Sequence, residues 1–133
     1  MTPLEYKSHV MRTIVYPTNE EFFDSKKPRN IRYFTKYKPH LFGRVLERGI
    51  NQKTFKEIFE LLFKNHYDYL LEIFEKDKEK MNSDDSVAIF VRKDDASVCF
   101  IVFDDEDAGF FSMMPLTVLG KHGYKKCDYE IEL

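Results

Sequence analysis

An α+β fold, with N-terminal helices packed against a small antiparallel β-sheet, is predicted by three observations. Apolar residues recur at spacings of three and four from Phe55 to Phe74, as on one face of a helix. From Val87 onward they alternate or run continuously, as in strands. The helical patterns precede the strand patterns instead of interleaving with them, which separates α+β from a βαβ arrangement. At 133 residues the chain is expected to be a single domain with a sizeable core. Within it, residues 1–28 read as an N-terminal helical segment, 29–81 as a basic strand and two helices, and 86–133 as an antiparallel meander.

Local signals place each element. Thr2-Pro3-Leu4-Glu5 has the form of a capping box with proline at the first helical position, opening a helix to about Thr13. Ile14-Val15-Tyr16 reads as a brief extended piece ended by Pro17, with a second capping box, Thr18 to Glu21, before Phe22. Residues 24–29 read as a loop. Ile31 to Lys36 is a candidate strand with Ile31, Tyr33 and Thr35 on one side and Arg32, Phe34 and Lys36 on the other. Pro39 suits a first helical turn, Gly49 a left-handed stop, Ile50 a fold back onto the last turn, and Asn51 the cap of the next helix. That helix carries Phe55, Ile58, Phe59, Leu62, Phe63, His66, Leu70, Ile73 and Phe74 on one stripe and extends to about Lys80. Such length in a compact domain predicts a break near Asn65 to Asp68. Asn82 to Asp85 read as a turn. Val87 to Arg92 and Val98 to Phe103 are strands, the second apolar on both faces and therefore central. Phe110 to Met114 and Leu116 to Leu119 form a third, interrupted at Pro115, which requires an edge or a bulge. Cys127 to Leu133 is a candidate fourth.

The net charge of -2 conceals an uneven distribution. Residues 26–56 hold ten Lys or Arg against one acid, Glu47, a local charge of +9. One face is thereby suited to a phosphate backbone while the whole chain stays near neutral. Tyr33, Phe34 and Tyr37 lie among these cations, as rings that stack on unpaired bases would, or as half of a strand's core face. Within the segment, His40, Arg44 and Arg48 recur at four-residue intervals and form one helical stripe opposite Leu41, Phe42, Val45 and Leu46. A proton-transfer group beside two phosphate-matched cations suits RNA chemistry, and equally describes a solvated face.

Other classes are not indicated. No apolar run reaches the roughly 20 residues of a membrane span, and the N-terminus lacks the apolar core of a signal peptide, so a cytoplasmic protein with no membrane partner is expected. Cys99 and Cys127 are too few and too far apart for a disulfide framework or a zinc site, and read as reduced, buried or inert thiols. The run Asp104 to Asp107 fails calcium-loop spacing and reads as an exposed hairpin loop. No phosphate-binding glycine loop or nucleophile elbow is present, so no cofactor and no metal are expected.

The run His40-Leu-Phe-Gly-Arg44-Val-Leu-Glu-Arg48-Gly49-Ile50, followed by a capped helix from Lys53 to Phe59 and a β meander, resembles the endoribonuclease superfamily that includes RelE, BrnT-type toxins and the phage-encoded RegB nuclease. The resemblance covers roughly residues 30–119 and is closest to RegB. It implies a RelE-like fold, a phage or toxin-like role, and a metal-independent, sequence-selective cut of mRNA in which the ribose 2′-OH attacks the adjacent phosphate. His40 matches the functional histidine; of Arg44 and Arg48, one would clamp phosphate and the other be structural. Where the phage enzymes carry a second histidine this chain has Glu60, with His66 on the same helix, and either would supply the second proton-transfer group. Arg32, Lys36, Lys38, Lys121, His122 and Tyr124 are the expected RNA contacts, and the ribosome or a ribosomal protein a further partner. The other class of function is a non-catalytic interaction protein of the same fold that docks a protein or structured RNA.

Overall fold

The structure is a computed structural model that describes every residue except Tyr37, Asp84 and Asp85; the ring proposed for stacking at Tyr37 and the end of the Asn82 to Asp85 turn lie outside the described residues. Helix α1, Pro3–Val10, begins with the expected capping box: Thr2 accepts from the Glu5 N–H, and the Glu5 carboxylate accepts from the Thr2 N–H. Beyond it the expected extended piece does not form. A π-helical turn, Met11–Val15, runs directly into α2, Tyr16–Phe22, with the Tyr16 N–H reaching back five residues to the Met11 carbonyl. The wider turn makes room for Pro17, which lacks an N–H and would crowd an ordinary α-turn. Thr18 is accordingly buried inside the helix rather than capping it.

Strand β1, Asn30–Tyr33, is followed by α3, His40–Glu47, which ends as the sequence predicts. Gly49 takes φ 63°, its N–H bonds the Leu46 carbonyl, and the Ile50 N–H folds back to Val45 at 3.1 Å. Asn51 then caps α4, Gln52–Lys76, by accepting from the Thr54 N–H. No break interrupts α4 near Asn65; Phe55, Phe59, Leu62, Phe63, Leu70 and Phe74 are wholly buried along it, and this continuous apolar stripe anchors the helix along its length. A short α5, Lys78–Asn82, follows.

Strands β2, Val87–Lys93, β3, Ala96–Asp105, β4, Phe110–Leu119, and β5, Tyr129–Glu132, complete one sheet in the order β1-β4-β3-β2-β5. The β2-β3-β4 meander is antiparallel, but both edge strands pair in parallel, β1 with β4 and β5 with β2. The sheet is therefore mixed, not antiparallel as expected, because each edge strand reaches its neighbour through a long connection that a hairpin rule does not describe. Pro115 sits opposite Phe100 beside a register shift, past the end of β1, where its missing N–H breaks no ladder bond to that strand. Asp104 and Asp105 belong to β3, so the acidic run is only partly a loop.

The helices cover one face of the sheet. Tyr33 stacks on Phe63 with centroids 4.3 Å apart, and Phe59 meets both Tyr33 and Phe100 edge-on. Each such buried ring contributes about 1.5–3 kcal/mol. Tyr33 is 0 % exposed and donates its hydroxyl to the Phe59 carbonyl, so this ring belongs to the core and is not offered to a base.

Candidate nucleic-acid interface

β1 is an edge strand whose outward N–H groups are not left open. Ile31 donates to the Tyr67 hydroxyl at 2.9 Å, and Tyr33 donates to the Asn19 amide oxygen at 2.8 Å while its carbonyl accepts from the Asn19 amide nitrogen. Asn19 thus imitates a neighbouring strand for one residue and holds α2 beside β1. The last turn of β1 and the start of the following segment form, with α2 and the β3–β4 hairpin, a cleft of about 650 Å³. That is the size range of small-molecule and nucleotide sites.

Its walls are aromatic and mixed in charge. Tyr16 and Phe23 are 54 % and 53 % exposed at the rim, and Phe34 and Phe110 are half-buried within it. Phe23 lies against Phe110 at 6.0 Å, and the Arg32 guanidinium covers the other contact of Phe110 at 4.3 Å, so cation and rings form a short stack. Glu20, Thr35 and Lys36 supply polar groups to the same cleft.

Arg32 does not reach solvent as a free cation. Its Nη2 donates to Asp105 at 2.7 Å and its Nε to the Ser112 hydroxyl at 3.1 Å. Three positions earlier, just before β1, Arg29 pairs with Asp104, whose side chain is fully buried, and also donates to the Phe110 carbonyl. The acidic run of β3 therefore neutralises two arginines of the basic segment, a pairing across more than seventy positions that local patterns do not reveal.

From the cleft the chain passes through the exposed Lys36 and Lys38 into α3. Leu41, Phe42 and Val45 face the core, and Gly43 allows Pro3 of α1 to approach, since a Cβ there would lie 3.1 Å from its ring. His40 and Arg44 are exposed on the outer side, without a hydrogen bond or ion pair among the described residues. Arg48 donates to the Val118 carbonyl at 2.8 Å, covering an edge of β4 that β1 is too short to reach. The Arg48 end of the stripe thereby lies against the end of β4, from which the 120–128 loop departs.

In that loop Lys121 and His122 are exposed, and Arg92 secures the backbone by donating to the Lys121 and Gly123 carbonyls. Tyr124 lies edge-on to Phe90 and donates its hydroxyl to Glu130, a bond that holds its pKa above the ordinary tyrosine value. The remaining expected residues lie elsewhere. Glu60 is exposed on α4, one turn beyond Lys56, whose ammonium meets His9 of α1; His66 is half-buried farther along the same helix. No hydrogen bond or ion pair among the described residues joins His40 or Arg44 to either of them. The cleft rings Tyr16 and Phe23 were not among the expected contacts; the exposed aromatic at each end of α2 was visible in sequence, but its pairing with β1 was not.

Compared with protein-family models, with curated proteins and with solved structures, the chain matches none. No helix among the described residues is long and apolar enough to cross a membrane.

Proposed function

We propose that this chain binds an unpaired stretch of RNA, with bases held in the aromatic cleft and the phosphate backbone running along Lys36, Lys38 and Arg44. The observation that carries this reading is the cleft itself: Tyr16, Phe23, Phe34 and Phe110 line it together with Lys36, and the exposed Lys38 and Arg44 follow in sequence. Rings accept any base face, while ammonium and guanidinium groups follow phosphates, the combination that single-strand binding requires. A duplex would not fit, because its bases are already stacked. The test is fluorescence anisotropy with a labelled single-stranded RNA against the same sequence as a duplex, at low salt. Preference for the single strand is expected, with about tenfold weaker binding in Phe23→Ala and Tyr16→Ala. Equal binding of both forms, or none, would overturn the proposal.

Cleavage is a second reading, favoured by one observation: the His40 imidazole is exposed and, among the described residues, unbonded, one helical turn from Arg44. In-line attack by a 2′-OH needs one group to take its proton, another to protonate the leaving 5′-oxygen, and a cation on the phosphate. His40 and Arg44 supply two of the three. Incubation with end-labelled mRNA in EDTA, with and without ribosomes, decides it. Discrete cuts ending in cyclic phosphate and lost in His40→Ala establish cleavage; intact RNA in every lane leaves binding alone.

A further inference from the structure

Two thiols separated by 28 positions in sequence meet on the sheet face that the helices leave uncovered: Cys99 Sγ and Cys127 Sγ lie 3.2 Å apart. Cys99 pairs with Phe90 of β2 and Thr117 of β4 in the ladder and is 1 % exposed. Cys127 is half-buried at the end of the loop that precedes β5. Its neighbour Asp128 donates its backbone N–H to the Ala88 carbonyl and accepts the Ala88 N–H on its carboxylate at 2.8 Å, so the second thiol is also tied to the sheet. A disulfide requires a further approach of only about 1 Å.

We propose that Cys99 and Cys127 form a reversible disulfide site, closed by a small-molecule disulfide of the glutathione class, which fastens the 120–128 loop to the sheet. The more accessible Cys127 thiolate attacks one sulfur of the oxidant; the oxidant's S–S bond breaks and the first thiolate leaves, taking a proton as a thiol. The Cys99 thiolate then attacks Cys127 Sγ, the mixed disulfide breaks, and the second small thiol departs. Two electrons pass from the protein dithiol to the oxidant, and its two protons end on the two thiols released. Burial, aided by the bond to Cys99, pushes the Cys127 thiol up to about 12, so the reaction is slow at neutral pH and accelerates in alkali. Closure would hold Lys121, His122, Lys125 and Lys126 in one arrangement, which makes the loop's presentation dependent on redox state.

The test is incubation of the whole protein with oxidised glutathione at alkaline pH, followed by acid quench, alkylation in denaturant and mass spectrometry. A monomer lighter by about 2 Da with neither thiol alkylated is expected. So are a melting temperature higher by on the order of 10 °C and slower tryptic cleavage after Lys121, Lys125 and Lys126, all reversed by dithiothreitol. Cys127→Ser, at the less buried position, should show neither the mass change nor the thermal shift. Two alkylatable thiols after oxidation, a glutathione retained on Cys127, or a disulfide-linked dimer would each overturn the site. A closed disulfide that leaves loop cleavage unchanged would overturn the fastening.

Discussion

Tyr6 is wholly buried between Phe42 and Phe55, with ring centroids 5.8 and 6.2 Å away, yet its hydroxyl has no hydrogen-bond partner among the described residues. Burial alone pushes that hydroxyl up to about 12. A buried, unbonded polar group is destabilising, so Tyr6→Phe is expected to raise stability by about 1 kcal/mol in urea denaturation; a loss of that size would mean the hydroxyl is bonded. Asp128 shows the opposite economy. Burial raises its pKa, but the Lys80 ammonium and the Ala88 N–H act against burial and leave it below the ordinary 3.8. A depressed carboxylate stabilises the fold above its unfolded pKa, and the stabilisation disappears as pH falls through the folded value. Asp128→Asn should therefore melt below the wild type at pH 6, with the gap closing below pH 4. A gap that persists in acid would place the effect in packing instead of charge.

At the scale of elements, β1 depends on a side chain from α2. Removing the Asn19 amide deprives the Tyr33 N–H and carbonyl of their partners, and Asn19→Ala should cost about 2 kcal/mol. The opened edge should also cause concentration-dependent association in size-exclusion chromatography; a monomer at every concentration would show that α2 still shields the strand. What sequence revealed among these elements was local. Thr2 with Glu5, Gly49 with Ile50, and Asn51 with Thr54 are contacts within one turn, and each forms as the residue pattern predicts. Two features escaped because distant residues decide them. The parallel pairing of β1 with β4 joins residues some eighty positions apart, and Asp104 and Asp105 read as solvated until Arg29 and Arg32 are set beside them. The thiol contact across the sheet was hidden for the same reason. Of the candidate site, the α3 stripe was legible from spacing, whereas the cleft was not, because its walls come from three separate stretches of chain.

For the molecule as a whole, the fold changes what the charge of the basic segment means. Of its +9, Arg29 and Arg32 are spent on Asp104 and Asp105, Arg48 on a backbone carbonyl, and Lys27 and Lys53 face Asp68 and Glu57. Lys36, Lys38 and Arg44 remain exposed and unbonded among the described residues on the proposed path. Binding of single-stranded RNA should then release counterions for about three phosphates, giving a slope of about −2 in log affinity against log salt. Engagement of the full segment would give about −6. Lys36→Gln, Lys38→Gln and Arg44→Gln are each expected to reduce the slope by about 0.7, whereas Phe23→Ala should weaken binding at every salt concentration without changing it. Anisotropy titrations across a range of salt separate these cases. A slope near −6 would mean that RNA displaces the carboxylates from Arg29 and Arg32, and that the ion pairs of β1 open on binding instead of fixing the cleft beforehand.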